Sequence, residues 1–345
     1  MFLLVCLLLL PAMLLPAMFP PGASAGAPPD WPQEAIRLVL PWAAGGTGDA
    51  LALPLAASLS RQLGRSVVLD HRPGLHGGLA AEIVAGSRPD GHTFLLGSNE
   101  QLAALLMHPR QPPLGPGRNA GRPASHDLQR DLAPVTLVAL APSVLVTANR
   151  PASAASFSEL RGHPSASDAA GSARSFASTG NGSPSHLAAE HVRLVTGMAA
   201  AHRPYANLQA ALADLRTAKV DFMVLPLTAA LPGIRDGGLR ALAVTGGTRT
   251  FALPAVPTLA EAGAHDVRLQ DWQALWSPPA TPPDIRSAMQ TAVAAALDQK
   301  ELVEVCNGMG AERGGQPARV LELLVRSESL KWARTLEALG PGLDR

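Results

Sequence analysis

The stretch Ala35–Asp49, AIRLVLPWAAGGTGD, constrains the fold more than any other: an apolar β-type run breaks into a glycine-rich turn whose end starts a helix. Such a turn aims backbone N–H groups at whatever lies above the strand, and oxyanions are the usual occupants. A second element with the same order lies far downstream. In Ser175–His186, SFASTGNGSPSH, a short strand runs through Thr179-Gly180-Asn181-Gly182 into Ser183-Pro184, an N-cap followed by proline at the first helical position. Two such cradles facing one another suit a bound carboxylate. Neutral donors of this kind favour reversible capture, because desolvating a full ion pair is costly.

Strand-type and helix-type runs alternate around these elements. Ile36–Leu40 precedes Ala50–Leu63, Val67–Asp70 precedes Leu79–Ala85, and Thr93–Gly97 precedes Gln101–Met107. That alternation predicts a parallel sheet covered by helices on both faces. A second α/β pattern has strands at Val135–Leu140 and Val144–Thr147, the cradle at Ser178–His186 with its helix to Gly197, then Leu208–Arg216, Val220–Leu225 and Leu239–Thr245. Past Gly246-Gly247 the chain is expected to return to the first domain with Leu269–Trp276, a helix from Pro282 to Asp298 and an amphipathic helix from Pro317 to Leu339. A length of 345 residues suits two domains better than one. The expected division is 31–129 with 247–345 as one domain and 130–246 as the other. Two crossings imply a two-strand hinge behind an interdomain cleft. Residues 109–127, rich in Pro, Gly and Arg, read as a long surface loop.

Composition excludes several classes. With 47% hydrophobic and 16% charged residues the chain can bury a core, so a disordered reading fails. A net charge of +1 without any basic run argues against nucleic acid or a membrane surface as partner. The ten histidines show no zinc-ligand spacing, so no metal is expected. Gly46-x-Gly48 lacks the third spaced glycine of a dinucleotide site, and no cofactor is expected either. A serine hydrolase using Ser183 or Ser185 with His186 would need G-x-S-x-G, which Gly-Asn-Gly-Ser-Pro does not supply. No catalytic residue is assigned, and Ser185 is given no role.

The N-terminus has an apolar stretch broken by Pro11 and Pro16, then Ala23-Ser24-Ala25, which fits a signal-peptidase site. Residues 1–25 therefore read as an export signal, although no Lys or Arg precedes the apolar run. Cleavage would leave Cys306 alone, without a disulfide, as a buried small hydrophobe.

IRLVLPWAAGGTGD, VVLDHRPGLHGG, PDGHTFLLGSN, DLAPVTLVA, STGNGSPSHLAAE, LRALAVTGGTR, LPAVPTLAEAG and KWARTLEALG occur in the order found in the Bug family, and the chain resembles that family from about Trp31 to Gly340. These are the periplasmic substrate-binding proteins of tripartite tricarboxylate transporters. The resemblance implies a bilobal type II periplasmic-binding-protein fold that closes around a small carboxylate and delivers it, as a monomer, to membrane permease subunits. A sensory binding protein that presents its ligand to a receptor is the alternative. Implied ligand contacts are Trp42, Ala43, Gly45, Gly46, Thr47 and Asp49 in the first loop, and Ser178, Thr179, Asn181, Gly182 and Ser183 in the second, with Tyr205. Thr47 and Asp49 can also cap the helix that follows. Ser98 and Asn99 join them from the carboxyl end of a parallel strand, where α/β sheets place ligands. His186 either touches the ligand or locks its loop to the helix. Three departures from the family pattern stand out. Trp42 replaces a smaller aromatic, Gly48 stands where a hydroxyl or branched residue is common, and Met223-Val224-Leu225-Pro226 replaces a more polar segment that bears on the distal part of the ligand.

Overall fold

The computed structural model describes residues 30–46, 48–74, 77–107, 128–162 and 174–340. The expected signal segment, the loop at 109–127 and the site residue Thr47 lie outside the described residues. The first part of the chain forms β1 (Ile36–Leu40), α1 (Asp49–Leu63), β2 (Val67–His71), α2 (Gly78–Ala85), β3 (Thr93–Ser98), α3 (Asn99–Met107), α4 (Leu128–Asp131) and β4 (Ala133–Ala148). The middle forms α5 (Phe157–Gly162), β5 (Arg174–Ser178), α6 (Pro184–Thr196), β6 (Ala200–Pro204), α7 (Leu208–Arg216), β7 (Phe222–Pro226), α8 (Leu227–Arg235) and β8 (Leu239–Val244). The last part forms β9 (Gln270–Ser277), α9 (Pro283–Leu297), α10 (Lys300–Met309), β10 (Glu312–Arg313) and α11 (Ala318–Leu339).

These elements make a bilobal α/β molecule. In the first lobe β1 pairs in parallel with β2 and β3, and β9 lies antiparallel between β3 and β4. In the second, β5 pairs in parallel with β6 and β7, while β7 and β8 run antiparallel to β4. The two runs expected at Val135–Leu140 and Val144–Thr147 are one strand of 16 residues. Its first half belongs to one sheet and its second half to the other, and Pro142, opposite Gln270, stands where the partners change. A proline that cannot donate to a ladder is tolerated where pairing lapses.

The return crossing is pinned to this strand. Thr245 donates its N–H to Ser143 O (2.9 Å), its Oγ1 accepts the Ser143 N–H (2.9 Å), and the same hydroxyl donates to Leu269 O (2.5 Å). After Gly246-Gly247 the chain first folds back on β8, where Leu259 N–H donates to Val244 O (2.8 Å), and it enters the first sheet only at Gln270.

Helix faces follow the apolar spacing. Leu51, Ala52, Leu55 and Leu59 of α1 pack with Met289 and Val293 of α9 and Cys306 of α10, which is fully buried as expected. In α11, Leu321, Val325, Glu328, Trp332 and Thr335 recur at alternating spacings of four and three, a single buried stripe. Among the described residues no helix is long and apolar enough to cross a membrane.

Candidate ligand-binding cleft

The first loop leaves β1 and turns back on itself before α1. Gly45 adopts φ 79°, a left-handed conformation that favours glycine. The carboxylate of Asp49, 7% exposed, accepts the Gly45 N–H (2.7 Å) and the Trp42 Nε1–H (2.8 Å), and meets His71 Nε2 at 3.0 Å. Burial alone would raise its pKa, but the bonds from His71, Trp42 and Gly45 outweigh burial and hold the carboxyl below its ordinary value. Asp49 is thus the clasp of the loop. It does not cap α1, whose N-cap is Gly48 with no side-chain bond, because its oxygens are taken up by the turn behind it. Gly46 N–H donates to Ala43 O (3.2 Å). Among the described residues the N–H groups of Ala43 and Ala44 have no acceptor.

In the second loop nearly every donor is already engaged. Thr179 N–H donates to Ser185 Oγ (3.1 Å), Gly180 N–H to Ser178 Oγ (3.1 Å), and Gly182 N–H, at φ 73°, to His186 Nδ1 (3.0 Å). Ser183 is the N-cap of α6, accepting the His186 N–H, while its hydroxyl donates to Gly180 O (2.7 Å). The His186 ring, 3% exposed, therefore locks the loop to the helix, and it stacks on His202 of β6 with centroids 3.8 Å apart. Burial lowers the pKa of both rings to about 4, the neighbouring ring adding to the effect on His186, so both are neutral at pH 7. His202 Nε2 lies 2.6 Å from Ser178 Oγ. That serine is fully buried, so the pair lacks the access a nucleophile needs.

A cleft of 520 Å³ opens between the two loops. Of the residues expected to bind, Trp42, Ala43, Gly45, Gly46, Ser98 and Thr179 line it. Asp49, Asn99, Ser178, Asn181, Gly182, Ser183, His186 and Tyr205 are not among its lining residues. Asn181 is exposed, and Tyr205 commits its hydroxyl to Asp214 Oδ2 (3.0 Å). Of the others, Asp49 fastens the first loop, and Ser178, Ser183 and His186 fasten the second through the bonds above.

Sequence reasoning missed several wall residues. Ser185 faces the cleft and holds Thr179, because the second position of α6 points back toward the loop. Leu208, Met223, Leu225, Pro226 and Met309 form an apolar distal wall. The unusual Met223–Pro226 run was its visible signal. Asp271 and Gln273 of β9 face the cleft with Glu100, two positions apart on one side of a strand, a period-2 signal hidden in a run whose alternate residues are buried tryptophan and alanine. Burial, then Glu100, pushes the Asp271 carboxyl up to about 7.

Two α/β lobes joined by paired crossings, with a ligand-sized cleft at strand ends, define a solute-binding protein of the periplasmic type. The profile described as "Tripartite tricarboxylate transporter family receptor" matches residues 51–341. The chain belongs to this family. It is 30% identical to BugT of Bordetella pertussis over 316 residues, covering 91% of each chain. It is also similar to two solved structures from Rhodopseudomonas palustris. One is MatC with bound malate, at 26% identity and TM-score 0.70, covering 88% of this chain and 99% of that one. The other is Rpa4515 with adipate, at 30% identity and TM-score 0.71, covering 89% and 97%. Members of the family are binding proteins, not enzymes.

Proposed function

We propose that the cleft captures a small carboxylate in the periplasm and delivers it to the permease subunits of a tripartite tricarboxylate-type transporter. The observation that carries this reading is the meeting of two loops at helix starts on one cleft: Ala43 and Ala44 offer backbone donors from one side, Thr179 and Ser185 hydroxyls from the other, and Ser98 from the floor. Each helix end adds roughly half a positive charge. The malate and adipate held by the two R. palustris relatives are ligands of the same class. The moving bodies are 31–129 with 247–345, and 130–246; strand pairing favours placing the bending points at Pro142–Ser143 and between Thr245 and Gln270.

A thermal-shift panel of small mono-, di- and tricarboxylic acids, amino acids among them, tests capture, since a ligand at 100 times its Kd adds about 2.7 kcal/mol of stability. For the acid that binds, Ser185→Ala should weaken affinity about tenfold, the worth of roughly one hydrogen bond, and Asn181→Ala should leave it unchanged. Absence of any shift across the panel, or native affinity in Ser185→Ala, would sink the reading. Export cleaves after Ala25, at the end of the small-residue triplet Ala23-Ser24-Ala25. Mass spectrometry of the periplasmic product should find Gly26 or a near neighbour first; an intact N-terminus or a lipidated Cys6 species would refute it.

A further inference from the structure

The cleft has two chemically different ends. Its loops present donors, whereas β9 and the start of α3 present acceptors. Asp271 and Gln273 project from one face of β9, and Gln273 lies opposite Ser98 on β3 and Ala139 on β4, at the middle of the first sheet. Glu100, at the start of α3, lines the same region. Asn99 sits behind, 5% exposed, with its amide against Asp271 and its Nδ2 donating to Gln270 O (3.4 Å).

Two buried amide oxygens here, Asn99 Oδ1 and Gln273 Oε1, have no hydrogen-bond partner among the described residues. Buried acceptors are nearly always satisfied in folded proteins, so Gln273 Oε1, left open on a residue that lines the cleft, marks where a ligand's donors belong. The charge distribution points the same way. Among the described residues lining the cleft the only charged side chains are Glu100 and Asp271, and both are acids. A second carboxylate at this end of a ligand would meet the Asp271 carboxyl, and like charges in a partly desolvated site repel.

We propose that the ligand is a zwitterion, a small acid that carries a primary ammonium group, with its carboxylate on the two loops and its ammonium against Asp271 and Gln273 Oε1. An ammonium can donate to both acceptors at once, and its charge relieves the strain that burial and Glu100 impose on the Asp271 carboxyl. This inference rests on the carboxylate reading above.

Calorimetry on the mature protein at pH 7 with matched probes tests it: L-aspartate against succinate, and L-glutamate against glutarate. In at least one pair the amino acid should bind tenfold or more tightly than its amine-free partner, and Asp271→Asn should shrink that ratio by removing mainly the amino acid's advantage. Glu100→Gln, at an exposed position, should shrink it less and serves if Asp271→Asn does not fold. Equal or tighter binding of succinate or glutarate overturns the inference while the carboxylate reading stands. So does an equal loss of both members of a pair in the variants. If neither member of either pair binds while another amine-free acid does, the inference fails alone; if no acid binds at all, both fail.

Discussion

A Cβ at Gly48 would fall inside the van der Waals surface of Trp42, whose six-membered ring lies over that position. The enlarged aromatic at 42 and the missing side chain at 48 are therefore two halves of one exchange, with Trp42 also bonded through Nε1 to the Asp49 clasp. Gly48→Thr should overpack the loop and destabilise the protein by about 1–3 kcal/mol. Trp42→Phe should cost about 1 kcal/mol alone through its lost hydrogen bond, yet recover much of the stability when combined with Gly48→Thr. Thermal unfolding of the four proteins forms a double-mutant cycle; simply additive costs would show that the two residues are not coupled. At this scale the sequence announces its turn clearly, since glycines clustered between a strand and a helix mark a backbone that must bend tightly or approach a ligand closely. It hides the duty of Asp49, because that depends on His71, which arrives 22 positions later through β2.

The β5–α6 loop is braced by an element that sequence patterning does not reveal. β6 is five residues, AAHRP, with neither alternation nor an apolar run, so His202 has no visible partner until pairing with β5 sets it over Ser178 and beside His186. The consequence is a pH dependence whose sign is fixed. Both imidazoles are held neutral down to about pH 4 in the folded protein, against 6.5 when exposed. Between those values the unfolded chain binds protons that the native state refuses, so stability falls as pH drops through that window and is complete above it. Each ring contributes a slope of about 1.4 kcal/mol per pH unit. Urea unfolding from pH 4.5 to 6.5 should show His202→Gln reducing the native slope by about one ring's share. An unchanged slope would mean that His202 titrates normally in the folded protein.

On the scale of the whole molecule, the two strand–helix patterns and the return of the chain were legible, since period and turn chemistry are local properties. Family order added the bilobal arrangement. The unity of β4 was not legible, because Pro142 breaks the run locally while the partners that hold it together, β7, β8 and β9, come from distant parts of the chain. The cleft floor was hidden for the same reason: Gln273 meets Ser98 only after the chain has visited the other lobe and come back.

That shared strand imposes a sequence of events on a chain delivered N-terminus first. Once Val244 has emerged, every strand of the second sheet exists, from the latter half of β4 to β8. The first sheet still has a gap between β3 and β4 that only Gln270–Ser277 can fill, and α11, which packs on it, is later still. The second sheet can close on its own connectivity while the first waits, holding the early part of β4 without its partners until the last quarter of the polypeptide arrives.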